Sequence, residues 1–182
     1  MKPILNTLLL TFTFSSFSNA LSAQSKDDQI TELKTYLKKV DSLIINDENS
    51  SRIVRTISEG TITSKRARHA KRDTVEESGG FGIYGFKSVV GDSTFKIVYH
   101  DNLTKNFYET YYFKNNELIY AQVEYKDEDK DQTLLYRKEV FYTGRDVLKE
   151  VKSGKKLSKP LRARLDFDLF ERGTQRLIVI KK

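Results

Sequence analysis

Apolar residues change their period along the chain, and each change marks an element. Over 27–45, Ile30, Leu33, Leu37, Val40 and Ile44 recur at spacings of three and four. That spacing puts them on one face of a helix. Lys34, Lys38, Lys39 and Asp41 take much of the rest of its surface. Asp27 or Asp28 is placed to cap its start, and Asn46, Asp47 and Asn49 mark its stop. The stripe is too short to demand a coiled coil, so the pattern predicts a helix lying across a sheet. Burying its apolar side chains contributes up to ~7–15 kcal/mol before entropy is subtracted.

From 81 to 151 the period drops to two. Nine of the ten tyrosines lie between Tyr84 and Tyr142, among β-branched and aromatic residues that alternate with polar ones. Turn signals recur at Gly91-Asp92, Asp101-Asn102, Asn115-Asn116, 126–131, Thr143-Gly144 and Ser153-Gly154. Short runs of this kind predict an antiparallel meander, because the connections are too short to hold the crossover helices of a parallel sheet. Phe95, Ile97 and Tyr99 share one face; so do Ile119, Ala121, Val123 and Tyr125. Phe107 to Phe113 is aromatic on both faces, which predicts a central strand covered on both sides.

Two segments read less directly. Ile53, Val54 and Ile57 suggest a strand that continues through 61–63, after which Lys65, Arg66, Arg68, His69, Lys71 and Arg72 follow with no apolar anchor before Val75. Asp73, Glu76 and Glu77 come next, so a flexible basic loop is expected near 64–78. In the tail, Leu161, Ala163, Leu165, Phe167 and Leu169 alternate with charged residues. A hairpin is expected there, turning near 171–174 and returning through 177–180. The competing helical register, Leu161, Leu165 and Leu169 after Ser158-Lys159-Pro160, has fewer matches.

The leader has the layout of a secretory signal: Lys2, a largely apolar run over 4–14, then small and polar residues ending in Leu21-Ser22-Ala23. Cleavage is expected after Ala23, with Ala20 as the alternative. The apolar run is shorter than the ~20 residues a membrane span needs, and no transmembrane segment is expected. The expected organisation is a signal peptide at 1–23 and one domain at 24–182.

Composition narrows the chemistry. With no cysteine there is no disulfide, no thiol catalysis, no thiolate metal site and no lipidated cysteine. The formal charge is +7, or +6 without Lys2, which favours an acidic protein or an anionic polymer as partner; export argues against nucleic acid. His69 and His100 stand in no metal or triad pattern, and a strand-end histidine facing water is the plain reading of His100 beside Asp101. Asp127, Asp129 and Asp131 open like a calcium loop, but Gln132 and Lys138 occupy the positions that need Gly and Glu. No carboxylate pair is singled out by spacing, and Gly79-Gly80-Phe81-Gly82 leads into a strand rather than a helix. No catalytic, cofactor or metal residue is assigned. Gly85 within a strand points to a close backbone approach.

The remaining candidates are surfaces. Arg66, Arg68, Lys71 and Arg72 offer clustered cations to a polyanion, or form a solvated loop answered by its neighbouring acids. Tyr108, Tyr112 and Tyr120 form a recognition surface if exposed together, and belong to the core if they lie under the helix. The stretch Tyr-Tyr-Phe-Lys-Asn-Asn-Glu-Leu-Ile-Tyr at 111–120, echoed at 140–148, resembles uncharacterised secreted or periplasmic β-rich proteins of Gram-negative bacteria. That resemblance covers the middle third of the chain, is a hairpin pattern, and carries over no functional residue.

These readings combine into an α+β fold: an N-terminal amphipathic helix packed on a curved, mostly antiparallel β-meander of six to eight strands. The expected function is an exported, non-enzymatic binding or inhibitor-like module that holds a protein or polymer through a sheet face and loops. A lipophilic-ligand carrier with a partial-barrel cavity is the second expectation, and a hydrolase the third. An enclosed apolar cavity favours the carrier, and a buried carboxylate pair in a cleft favours the enzyme.

Overall fold

The computed structural model describes residues 25–47, 52–67, 74–91, 93–103, 106–127, 133–158, 162, 165 and 167–181. The leader expected at 1–23 lies outside these residues. Helix α1 (Lys26–Asn46) is followed by seven strands: β1 (Ile53–Ala67), β2 (Thr74–Ser88), β3 (Thr94–Asp101), β4 (Asn106–Lys114), β5 (Glu117–Lys126), β6 (Leu134–Thr143) and β7 (Asp146–Gly154). Helix α2 (Leu169–Lys181) closes the chain. The strands form one antiparallel sheet in sequence order, β1 to β7. The fold is therefore mostly β with some α.

Local chemistry explains the connections. Ser25, not Asp27 or Asp28, caps α1: its hydroxyl accepts from the Asp28 backbone N–H at 3.2 Å and donates to the Asp28 carboxylate at 2.7 Å. At the other end, Asp47 accepts from the backbone N–H groups of Arg52 and Ile53 at 3.0 and 2.7 Å, tying helix to first strand. Asn115 and Asn116, with φ of 55° and 64°, make the two-residue turn between β4 and β5. Such turns match the twist of the strands they join.

Alternation along the strands builds a core on each side. Ile30 and Val40 of α1 pack on Tyr112, Ile119, Tyr120 and Phe141. On the opposite face, Leu169, Leu177 and Ile180 of α2 cover Ile97, Phe107, Tyr111 and Val123 among others. Strand β4, fourth of seven, carries the doubly aromatic run and is covered on both faces.

The tail corrects the sequence expectation: 169–181 is helical, and residues 177–180 form no return strand. Leu169, Gly173, Leu177 and Ile180 are its buried positions, spaced at four, four and three, and Asp168 caps it by accepting from the Phe170 N–H at 2.8 Å. The alternation over 161–169 ends where this helical register begins. Gly173 costs the helix ~1 kcal/mol of propensity. A Cβ there would stand 2.8 Å from Tyr111, and one on Gly85 would stand 2.6 Å from Ile180. The close approach expected at Gly85 is thus the seat of α2.

The basic loop also differs from expectation over its described part. β1 runs to Ala67 and β2 starts at Thr74, with Lys65 opposite Glu76 and Arg66 opposite Val75. β2 pairs β3 only from Phe81 to Lys87, so the outer half of the β1–β2 hairpin extends past β3 as a two-stranded ribbon. Gly79, Gly80 and Gly82 are ladder positions of that hairpin.

Candidate functional site

The helices leave the β6–β7 edge of the α2 face open. Residues two apart on a strand share a face, so Tyr136, Lys138, Val140 and Tyr142 form one row of β6 on the side that carries α2. Across the ladder, Lys152 of β7 stands directly opposite Lys138, and Glu150 opposite Val140. Like charges so placed repel. Glu150 answers both: its carboxylate pairs with Lys138 at 3.2 Å and with Lys152. The hydrogen bond from Lys152 and the pairing with Lys138 hold the Glu150 carboxyl below its usual range, and the same bond raises the Lys152 ammonium.

Beyond β7 the chain turns off the sheet at Gly154, whose φ of 106° favours glycine. Lys155 then donates its backbone N–H to the Leu135 carbonyl at 2.8 Å, which lays 155–158 across the end of β6. The result is a groove of about 350 Å³ lined by Lys138, Lys152, Lys155, Lys156 and Arg162, with Tyr136, Leu157 and Leu165 as its apolar part. Among the described residues no carboxylate lines it. Cations gathered on concave, partly apolar walls raise the local concentration of anions more than the same charges dispersed over a surface.

Lys138 also lines an adjoining groove of about 610 Å³ between the β6–β7 face and the start of α2. Val140 and Tyr142 are buried there, while Val147 and Phe167 are 53% and 65% exposed. Arg145, Asp168 and Glu171 complete the far end of this groove.

The residues expected from sequence fall elsewhere. Tyr112 and Tyr120 are core residues under α1, only 6% and 4% exposed. The Tyr112 hydroxyl donates to Asp41 at 2.8 Å and that of Tyr120 lies 2.7 Å from Glu139; burial first, then these carboxylates, hold both phenols protonated well above the usual tyrosine range. Tyr108 alone of the three stands clear of α1, half-buried, in a row with His100 and Tyr84 at ring separations of 6.0 and 5.7 Å. The Lys126 ammonium lies 4.6 Å from the Tyr108 ring centre. Arg66 sits on the ribbon at the β1 edge, the edge opposite the groove, whereas Arg68, Lys71 and Arg72 lie outside the described residues.

His100 and Asp101 point to opposite faces, as neighbours on a strand must; Asp101 is buried and accepts from the Leu103 N–H at 3.1 Å. Buried Glu109 is held by Arg172 and Arg176, and Glu124 by Arg137 at 2.6 Å and Lys126 at 3.6 Å. Among the described residues no group of three His, Asp or Glu side chains is arranged for a metal; Asp129 and Asp131 lie outside them.

The groove has its own signal in the sequence, outside 65–72. Between 149 and 164 stand Lys149, Lys152, Lys155, Lys156, Lys159, Arg162 and Arg164 against a single acid, Glu150. The run near 65–72, by contrast, has three acids immediately after it. Comparisons with protein-family models, with curated proteins and with solved structures find no match.

Proposed function

We propose that this protein is an exported, non-enzymatic binding module that holds an anionic partner, a protein or polymer of the cell envelope, in the cationic groove at the β6–β7 edge. The observation that carries this reading is the convergence of Lys155, Lys156 and Arg162, beside the Glu150-paired Lys138 and Lys152, on one concavity that no carboxylate lines among the described residues. The signal-like composition of residues 1–23 supports export. Against the carrier reading stands the filled centre of the sheet, where Phe107, Tyr111, Tyr125 and Val123 are fully buried between strands and α2.

Retention on immobilised heparin tests the proposal. The wild-type protein is expected to elute above the salt needed for a triple variant, Lys155→Gln, Lys156→Gln and Arg162→Gln, whose melting temperature stays unchanged because these residues sit on the rim rather than in the core. Co-elution of the two proteins would refute the groove as the anion site. Mass spectrometry of exported protein is expected to find Gln24 or Leu21 first, and an intact Met1 would refute export by a cleaved leader.

A further inference from the structure

The two adjoining grooves share Lys138, and together they follow the β6 row Tyr142, Val140, Lys138, Tyr136. Three two-residue steps along a strand span roughly 20 Å, the length of about six extended residues. The channel is polarised along that line. Its Tyr136 end holds Lys152, Lys155, Lys156 and Arg162; Glu150, paired with Lys138 and Lys152, lies between; and its Tyr142 end holds Val147, Phe167 and Phe170 with Arg145, Asp168 and Glu171 at the rim. A uniformly charged polymer uses only the first half and meets the acids of the second.

Resting on the anion-binding reading of the cationic half, we infer that the whole channel takes an extended acidic peptide led by an apolar residue. Its large apolar side chain seats against Val147, Phe167 and Phe170; its carboxylates face Lys152, Lys155, Lys156 and Arg162. A free amino group at the apolar end meets two carboxylates, Asp168 and Glu171, against the single guanidinium of Arg145, and this balance sets the direction of the chain. An extended peptide also repeats its side chains on one side at the spacing of the β6 row beneath it. The exposed Phe167 and Val147 are then the anchor site of this surface rather than scattered apolar residues.

Calorimetric titration with two synthetic peptides, Phe-Ser-Gly-Glu-Glu-Glu and Ser-Ser-Gly-Glu-Glu-Glu, separates the claims. The first is expected to bind about tenfold more tightly, the gain from covering one large apolar side chain. Phe167→Ala and Val147→Ser, both at exposed positions, are expected to remove that difference without lowering the melting temperature, whereas Lys155→Gln with Lys156→Gln weakens both peptides alike. Equal affinity of the two peptides for the wild-type protein would overturn the peptide inference and leave the anion-binding reading standing. Failure of both peptides with heparin still retained would do the same in favour of a polymer. Failure of both peptides together with heparin would overturn the anion-binding reading and the inference with it.

Discussion

Replacing Arg172 and Arg176 by Met is the most informative perturbation of the fold. Glu109 is 0% exposed in the middle of β4, and its carboxylate is met from α2 by Arg172 and, at 3.5 Å, by Arg176. Arg176 also lies 3.9 Å from the centre of the Tyr99 ring. The buried Tyr111 hydroxyl sits beside the same carboxylate. The double Met variant keeps most of the side-chain volume but strands a negative charge in the core. Such a carboxylate sheds its charge by taking up a proton, which at pH 7 costs an ordinary glutamate about 3–4 kcal/mol. For a domain of this size that corresponds to a loss of about 6–15 °C in melting temperature. The sign of the pH effect follows. In the variant the unfolded chain releases a proton that the folded chain keeps, so its deficit relative to wild type shrinks as pH falls toward the ordinary glutamate range. Adding Glu109→Leu to the double variant removes the charge altogether and restores much of the loss, since apolar replacement of a buried ion cluster is often neutral or better. Thermal and urea unfolding at pH 7 and near pH 5 measure all three. A double variant melting within about 2 °C of wild type at pH 7 would refute the claim that these arginines compensate a buried charge.

Other consequences are simpler to state. Val40→Asp buries a charge at a position 2% exposed and is expected to cost more than ~3 kcal/mol, whereas Lys39→Asp on the exposed side of α1 stays within ~0.5 kcal/mol. Equal urea midpoints for the two would show that α1 does not bury this face. Burial holds the phenols of Tyr99, Tyr111, Tyr112, Tyr120 and Tyr142 neutral above their usual range. Since unfolded tyrosines release their protons near pH 10, stability is complete below that pH and declines above it. Ultraviolet titration is therefore expected to show these phenols ionising together with unfolding; smooth ionisation in a folded chain would contradict their burial.

Period alone located most of this fold. The stripe from Ile30 to Ile44 and the alternation from Phe95 to Tyr142 each have one dominant period, and each corresponds to an element whose buried face is the apolar one. The tail misled because two periods overlap at Leu169. What decides it is contact with the sheet, through Gly173 against Tyr111 and Arg172 against Glu109, and neither partner is visible from local pattern. Tyrosine was ambiguous for a related reason. Its apolar ring and polar tip suit a recognition surface and a core edge equally, and the partner Asp41 that settles Tyr112 lies 71 positions away. The cationic groove was written plainly in 149–164, but it becomes a concavity only when Gly154 turns the chain across β6.

The central claim is that the groove at the β6–β7 edge, and not the ribbon at the β1 edge, receives the anionic partner. Amide chemical-shift mapping on the isotope-labelled protein, titrated with hexaglutamate at low salt, tests it most directly. Saturable shifts centred on Lys138, Lys152, Lys155, Lys156 and Arg162, abolished by added salt, are the result predicted. Shifts confined to Arg66, Arg68, Lys71 and Arg72, with the groove resonances unmoved, would contradict it.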